Sequence, residues 1–308
     1  MRLILVHSCT LVALVLLTGY ANSMEVRLAN GKAEFLDNGK PVLIYNYRMM
    51  LPAGVPENWR RSCYIHPIYG LNGEILTDDF PKDHYHHRGL SWMWLVVKVG
   101  DKQYDLWTIK GIRHHTVKLL DSRSGPDSAT LRIANAWITD SGEKVLDETV
   151  AITAHKAESG GRVIDIELSL NPISQPITLD SSATGYSGLN LRFAPREDTV
   201  IVTSSGKADK DVNRERYYWS DLSARFGGSK EFSGIAIFDN PANPSYPTGW
   251  SNRFYGILNP SFTGIQPVII KPGEPLVLRY RVWVHEGDSS GVPAAYKEYR
   301  SASILPVN

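Results

Sequence analysis

The sequence predicts an all-β chain built as a large antiparallel β-sandwich, and three observations carry that expectation. Short runs rich in β-branched and aromatic residues recur between clusters of Gly, Pro, Asn and Asp, at 42–45, 90–99, 129–139, 148–154, 163–170, 200–203, 234–238 and 276–284, the pattern of antiparallel strands and their turns. The last run alternates: Leu276, Leu278, Tyr280, Val282 and Val284 share one face, and Val277, Arg279, Arg281 and Trp283 the other. Such a strand buries one face and leaves the second more polar. No stretch sustains a period of 3.6 residues and only 293–301 reads as a helix of any length, which argues against a doubly wound or barrel α/β fold.

From the N-terminus, Arg2 precedes an apolar stretch at 11–17 and then Ala21-Asn22-Ser23 with its small residues three apart, the layout of a cleaved signal peptide over 1–23. Residues 24–308 then form a single β-sandwich domain, secreted or periplasmic. The apolar core of the leader is shorter than the ~20 residues that cross a bilayer, so no membrane span is expected after cleavage. Of the two cysteines, Cys9 falls in the leader and only Cys63 remains. No internal disulfide can form, and stability must come from the core, which 43% hydrophobic residues suffice to build.

A net charge of +1, from 33 basic and 32 acidic residues with no Lys/Arg stripe, gives no basis for nucleic acid as a partner. The 15 Tyr, 8 Trp and 8 Phe supply flat amphipathic surfaces that suit sugars, although most aromatics in a β protein are core. There is no internal repeat or low-complexity linker. The longest irregular pieces are 49–82, 204–230 and 239–249, and loops of that length inside a compact domain are functional more often than incidental.

The densest chemistry is Asp83-His84-Tyr85-His86-His87-Arg88-Gly89, with three of the nine histidines inside four positions. In an extended run His84, His86 and Arg88 share one face, and Asp83, Tyr85 and His87 the other. Two imidazoles roughly 6 to 7 Å apart at the backbone could serve as acid and base or share a ligand, with Arg88 forking onto a carboxylate or oxyanion. Catalytic candidates are therefore Asp83, His84, His86 and His87, together with Asp239. A divalent metal is a second use, held by His84 and His86 with His66 or Asp83 as third ligand, while spacing alone fixes no third ligand. The metal-free reading with no cofactor is preferred. A third, bland reading leaves the same side chains merely bonding a long loop to the sheet edge.

Further binding candidates lie elsewhere in the chain. His66 and Tyr69 flank a rigid Pro67 in one loop. Tyr186, Asn190 and Arg192 follow Gly185 and Gly188, with Asn190 and Arg192 on one strand face. The loop after Asp239, pinned by Asn240-Pro241 and Asn243-Pro244, leads to Trp250 and Arg253, which offers polar groups beside an indole. His114 and His115 read as exposed or satisfied strand residues. Glu148 and Asp165 read as solvated strand faces rather than the paired carboxylates of a glycosidase.

These motifs together resemble a bacterial family labelled methane oxygenase PmoA, or left as a domain of unknown function. The resemblance covers about 52–287. It rests on His66-Pro67 with Tyr69, Asp83-His84 with His86-His87-Arg88-Gly89, Trp107, Gly188 with Arg192, and Asp239 with Pro241, Asn243-Pro244, Pro247, Trp250 and Arg253. The family pattern often has a histidine where this chain has Asn240, so no role of that histidine carries over. The label implies a copper or iron oxygenase of the membrane, but a chain without a span lacks the architecture of a particulate methane monooxygenase subunit. Such relatives look like proteins that accompany carbohydrate breakdown. Residues 163–192 also resemble the central hairpin of aldose epimerase sandwiches, which implies a mutarotase-like supersandwich and leaves function open. The expected activity is that of a glycoside hydrolase, lyase or sugar epimerase on a carbohydrate or other small-molecule substrate. The rivals are a non-catalytic glycan-binding module and a metal-dependent oxygenase.

Overall fold

A computed structural model describes residues 23–158 and 160–304; of the expected leader, all but Ser23 lies outside them. Two antiparallel sheets dominate. One has seven strands in the order Met24–Ala29, Lys32–Asp37, Lys40–Asn46, Tyr64–Ile68, Leu90–Trp94, Ser187–Arg192 and Ile257–Leu258. The other has nine, in the order Gly206–Lys207, Arg196–Thr203, Trp219–Phe226, Ser233–Asp239, Leu276–Glu286, Gly161–Pro172, Lys144–His155, Ser128–Thr139 and Ile112–Arg123. The sheets face each other across one continuous apolar core. Phe35, Tyr45, Trp92, Trp94, Leu189 and Leu191 enter it from the first sheet, and Leu131, Ile133, Val150, Ile164, Leu222, Ile237 and Val282 from the second.

Every run expected to be a strand is extended, although 90–99 breaks at Leu95 into Leu90–Trp94 and Val96–Val99, which join different sheets, and the alternation at 276–284 is realised: the even-numbered residues are buried and the odd ones half-buried. The C-terminal helix runs Val292–Ile304 and follows a turn whose Asp288 carboxylate accepts the Ser290 N–H at 3.0 Å. Val292, Tyr296 and Tyr299 lay it against Trp219 and Phe238, on the outer face of the nine-stranded sheet. Among the described residues no helix is long and apolar enough to cross a membrane.

Two expectations fail for one reason. The irregular piece 204–230 contains the interior strand Trp219–Phe226, hidden by the polar residues Ser220, Asp221 and Ser223. Asp221 is fully buried yet satisfied: His285 Nε2 lies 2.9 Å from one oxygen, and the Ser223 and Ser289 hydroxyls each donate to the other at 2.6 Å. Glu148, expected on a solvated face, is likewise buried in the core. Its carboxylate accepts Trp92 Nε1–H and Trp137 Nε1–H at 2.9 Å and Asn135 Nδ2–H at 2.8 Å, with His114 Nε2 at 3.3 Å. A charge is tolerated inside when its hydrogen bonds are complete, which hydrophobic periodicity does not register.

Candidate active site

Residues 83–88 are not extended. The His84 N–H donates to the Pro81 carbonyl and the His87 N–H to that of His84, both at 2.9 Å, so two successive turns replace the expected strand. The alternation of faces is overturned, and the curl gathers all three imidazoles. Ring centroids are 5.5 Å apart for His84 and His86, 4.9 Å for His84 and His87, and 4.4 Å for His86 and His87.

Arg88, expected to meet substrate, instead lies fully buried beneath this curl. It donates to the carbonyls of Tyr85, of His87 at 2.7 Å and of Trp59 at 2.6 Å, with Nε 3.6 Å from Asp79 and its guanidinium against the Phe80 ring. Three other arginines brace the surrounding loops in the same way. Arg61 holds the carbonyls of Leu106 and Trp107, Arg196 those of Ala194 and Phe254, and Arg253 those of Val212 and Asn252. A planar fork with five donors suits this work, since it satisfies several loop carbonyls that no sheet partner reaches.

The braced loops deliver an aromatic rim. Trp59 lies 5.8 Å from His86, Trp107 6.4 Å from His87 and 5.4 Å from Tyr186, and Tyr255 5.9 Å from His84. The Tyr186 and Tyr255 hydroxyls are 3.3 Å apart, and the Arg253 guanidinium lies 4.7 Å from the Tyr186 ring. Strand Ser187–Arg192 supplies the polar floor. Leu189 and Leu191 point into the core, which turns Asn190 and Arg192 to the opposite face. Arg192 Nη2 reaches Asp83 at 3.3 Å, and the same carboxylate holds His84 Nδ1 at 2.9 Å. His87 Nδ1, both amide atoms of Asn190, and Arg192 Nε and Nη1 are buried without a partner among the described residues.

Burial, the His84 imidazole and the charges of Arg61, Arg88 and Arg192 push His86 down to about 4. Burial, His86 and Arg192 push His87 down to about 2, so both are neutral at pH 7. Burial pushes the Asp83 carboxyl up, but the bond from His84 and the charge of Arg192 outweigh it and hold the group below its ordinary value. Burial pushes Asp79, beside Arg88, up to about 7.

Other expected site residues are held by partners of their own, His66 among them although it packs against Gly89 beside the cluster. His66 Nδ1 sits 3.0 Å from Thr77 Oγ1, and Tyr69 pairs by its backbone with Ile75. Asp239, Asn240 and Trp250, expected to present polar groups to a ligand, are buried with their polar atoms on partners within the protein. Asp239 accepts from Asn243 Nδ2 and the Thr248 N–H at 2.8 Å, because the Asn- and Pro-pinned loop folds back and caps the carboxylate itself. Asn240 Nδ2 donates to the Tyr299 hydroxyl at 2.6 Å, and Trp250 Nε1 to the Tyr217 carbonyl at 2.8 Å. Among the described residues no three His, Cys, Asp or Glu are grouped so as to hold one metal ion. The set of His84 and His86 with His66 or Asp83 is therefore not assembled. Nothing in the sequence marks Trp59 and Tyr255 as site residues beyond the length of loop 49–82 for the first and a turn at Tyr255-Gly256 for the second.

No curated protein matches the chain. Among solved structures, an aldose epimerase (GalM) homologue from C. elegans covers 86% of this chain and 99% of its own, at 9% identity and a TM-score of 0.35. Galactose 1-epimerase from Lactobacillus acidophilus covers 85% and 93%, at 9% identity and 0.31. A putative kojibiose phosphorylase from the human microbiome covers 71% of this chain and 26% of its own, at 10% identity and 0.30. At such TM-scores none of these says what the site does. The family model that matches, over residues 32–297, is described as a family of unknown function, and it overturns the resemblance to methane oxygenase PmoA, the one ground for the oxygenase reading. By that match the chain belongs to DUF6807, a family of unknown function.

Proposed function

We propose that the chain processes carbohydrate, as a hydrolase, lyase or epimerase working by imidazole and carboxylate chemistry at the cluster of His84, His86 and His87. The observation that carries this reading is the set of buried polar atoms without a partner among the described residues, on His87, Asn190 and Arg192, beneath a rim of four aromatic rings. Buried polar groups are nearly always hydrogen-bonded, and flat rings beside a few convergent donors and acceptors match the faces and hydroxyls of a sugar.

His84 is the acid/base in this proposal. Its Nδ1 lies against Asp83, which fixes the tautomer with the proton on Nδ1 and leaves Nε2 to take a proton from substrate and return it. The imidazolium formed is then stabilised by the Asp83 charge, the role of an orienting carboxylate beside a catalytic histidine. His86 and His87, neutral at pH 7, bind hydroxyls. No cofactor is called on.

The low values of His86 and His87 favour one rival, a glycan-binding module in which the same groups only bind. The deciding experiment is a screen of residues 24–308 against oligosaccharides and oxidised sugars for binding and turnover, followed by His84→Gln and Asp83→Asn on any hit. An enzyme loses turnover about 100-fold or more in the first variant and still binds. A module binds and never turns over, and failure to bind any sugar overturns both readings. Export is part of the proposal, supported by the leader pattern, and a native N-terminus at Met1 rather than near Met24 overturns it.

A further inference from the structure

We infer that the sugar taken by this site is an acidic one, whose carboxylate is received by the Arg192 guanidinium. The inference rests on the carbohydrate reading above and adds the substrate class.

Four arginines that brace the site's loops have their guanidinium groups on backbone carbonyls: Arg61, Arg88, Arg196 and Arg253. Arg192 differs. It is 7% exposed, yet among the described residues its one side-chain hydrogen bond is the 3.3 Å contact from Nη2 to Asp83, itself largely in solvent, and Nε and Nη1 meet no acceptor there. A guanidinium is always charged and carries five donors, so leaving it buried with two nitrogens idle is costly unless a ligand completes it.

A carboxylate is the ligand group that fits, because its two oxygens accept from a planar fork and cancel the charge. The local field agrees. Arg61, Arg88 and Arg192 depress His86, while the opposing carboxylates are weakened or distant: Asp79 is pushed up to about 7 by burial, and Asp78 is also raised by burial. Asp83 is the one acidic group in contact with Arg192, and its exposure leaves it free to yield. Asn190, two residues earlier on the same strand face, offers one donor and one acceptor for adjoining hydroxyls. Tyr255 covers the guanidinium, its ring centroid 5.1 Å from the Arg192 carbon, but it is 44% exposed and can turn aside without opening the core.

Calorimetric titration of residues 24–308 tests this with matched probes: the methyl glycosides of glucuronic, galacturonic and mannuronic acid, those of glucose, galactose and mannose, and glucose 6-sulfate. At least one uronide should bind about tenfold or more tightly than its neutral partner, the effect of a charge-assisted hydrogen bond. Arg192→Gln should bring that ratio close to one. Asp83→Asn, which removes the competing carboxylate, should raise it and keeps the proposal testable if the arginine variant does not fold. Equal affinity for matched pairs overturns the acidic class and leaves the carbohydrate reading standing. Preference for the sulfate overturns the carboxylate, and binding of none of the probes overturns the carbohydrate reading itself.

Discussion

The Tyr255 ring lies parallel to the His84 imidazole, with planes 6° apart and centroids 5.9 Å apart, and the same ring covers the Arg192 guanidinium. One exposed side chain thus stands over both the proposed acid/base and the proposed anion receptor. Tyr255→Ala removes the cover and the hydroxyl contact with Tyr186. Its stability should stay within about 0.5 kcal/mol of the parent, as for a surface substitution, while stopped-flow association of an acidic sugar becomes severalfold faster, because gating by a loop residue limits entry. Slower association in that variant contradicts the role of a cover.

The turn that carries Tyr255 depends on Gly256. Its φ of +112° is closed to residues with a side chain, and a Cβ there would run into the Arg196 guanidinium, which holds the Phe254 carbonyl at 2.8 Å. Gly256→Ala should cost about 1–3 kcal/mol, read as a lower urea midpoint. It should also weaken ligand binding more than Tyr255→Ala does, because it displaces the turn rather than one ring.

The buried imidazoles make the fold sensitive to acid. His86 and His87 titrate near 6.5 in the unfolded chain but at about 4 and about 2 in the folded one. As pH falls below 6.5 the unfolded chain takes up these protons first, so their contribution is complete above 6.5 and is lost progressively down to about 4 and beyond. The slope approaches about 1.4 kcal/mol per pH unit for each such group. Urea midpoints measured from pH 7 to pH 4 should fall, and His87→Gln should flatten the fall. An unchanged slope in that variant means His87 is protonated in the folded state.

How far the sequence reached depended on which residues the core rejects. Strands whose inward positions are apolar, such as Leu276–Glu286, announced themselves by alternation, and 83–89 announced its chemistry by composition. Trp219–Phe226 and Glu148 did not, since each places polar groups inside and satisfies them with partners distant in sequence, such as His285 for Asp221 and Trp92 for Glu148. Arg88 and Arg192 looked alike as sequence. Only the fold separates a guanidinium set on carbonyls from one left with free donors. Asp239 had the spacing of a site residue, but its own loop turned back and satisfied it.

Glu148 joins the two sheets, because Trp92 donates to it from the seven-stranded sheet while Trp137 and Asn135 donate from the nine-stranded one. Burial pushes this carboxyl up, but the His114 charge and the hydrogen bonds from His114, Asn135 and Trp137 outweigh it and hold the group below its ordinary 4.5. A depressed carboxyl contributes stability that is complete above its unfolded value and is lost as pH falls through the folded one. The Glu148 contribution should therefore persist at pH 5 and disappear below about 4.5. Glu148→Gln keeps the outline but presents an amide N–H to two indole donors. Leaving buried donors unsatisfied costs about 1–3 kcal/mol each, so guanidinium titrations at pH 7 should show a loss of about 2 kcal/mol or more, and the variant should lack the wild type's extra decline below 4.5. A loss under about 1 kcal/mol at pH 7, within the range of an exposed pair, would mean that the sheets are held by their apolar faces and that the carboxylate merely occupies the space between Trp92 and Trp137.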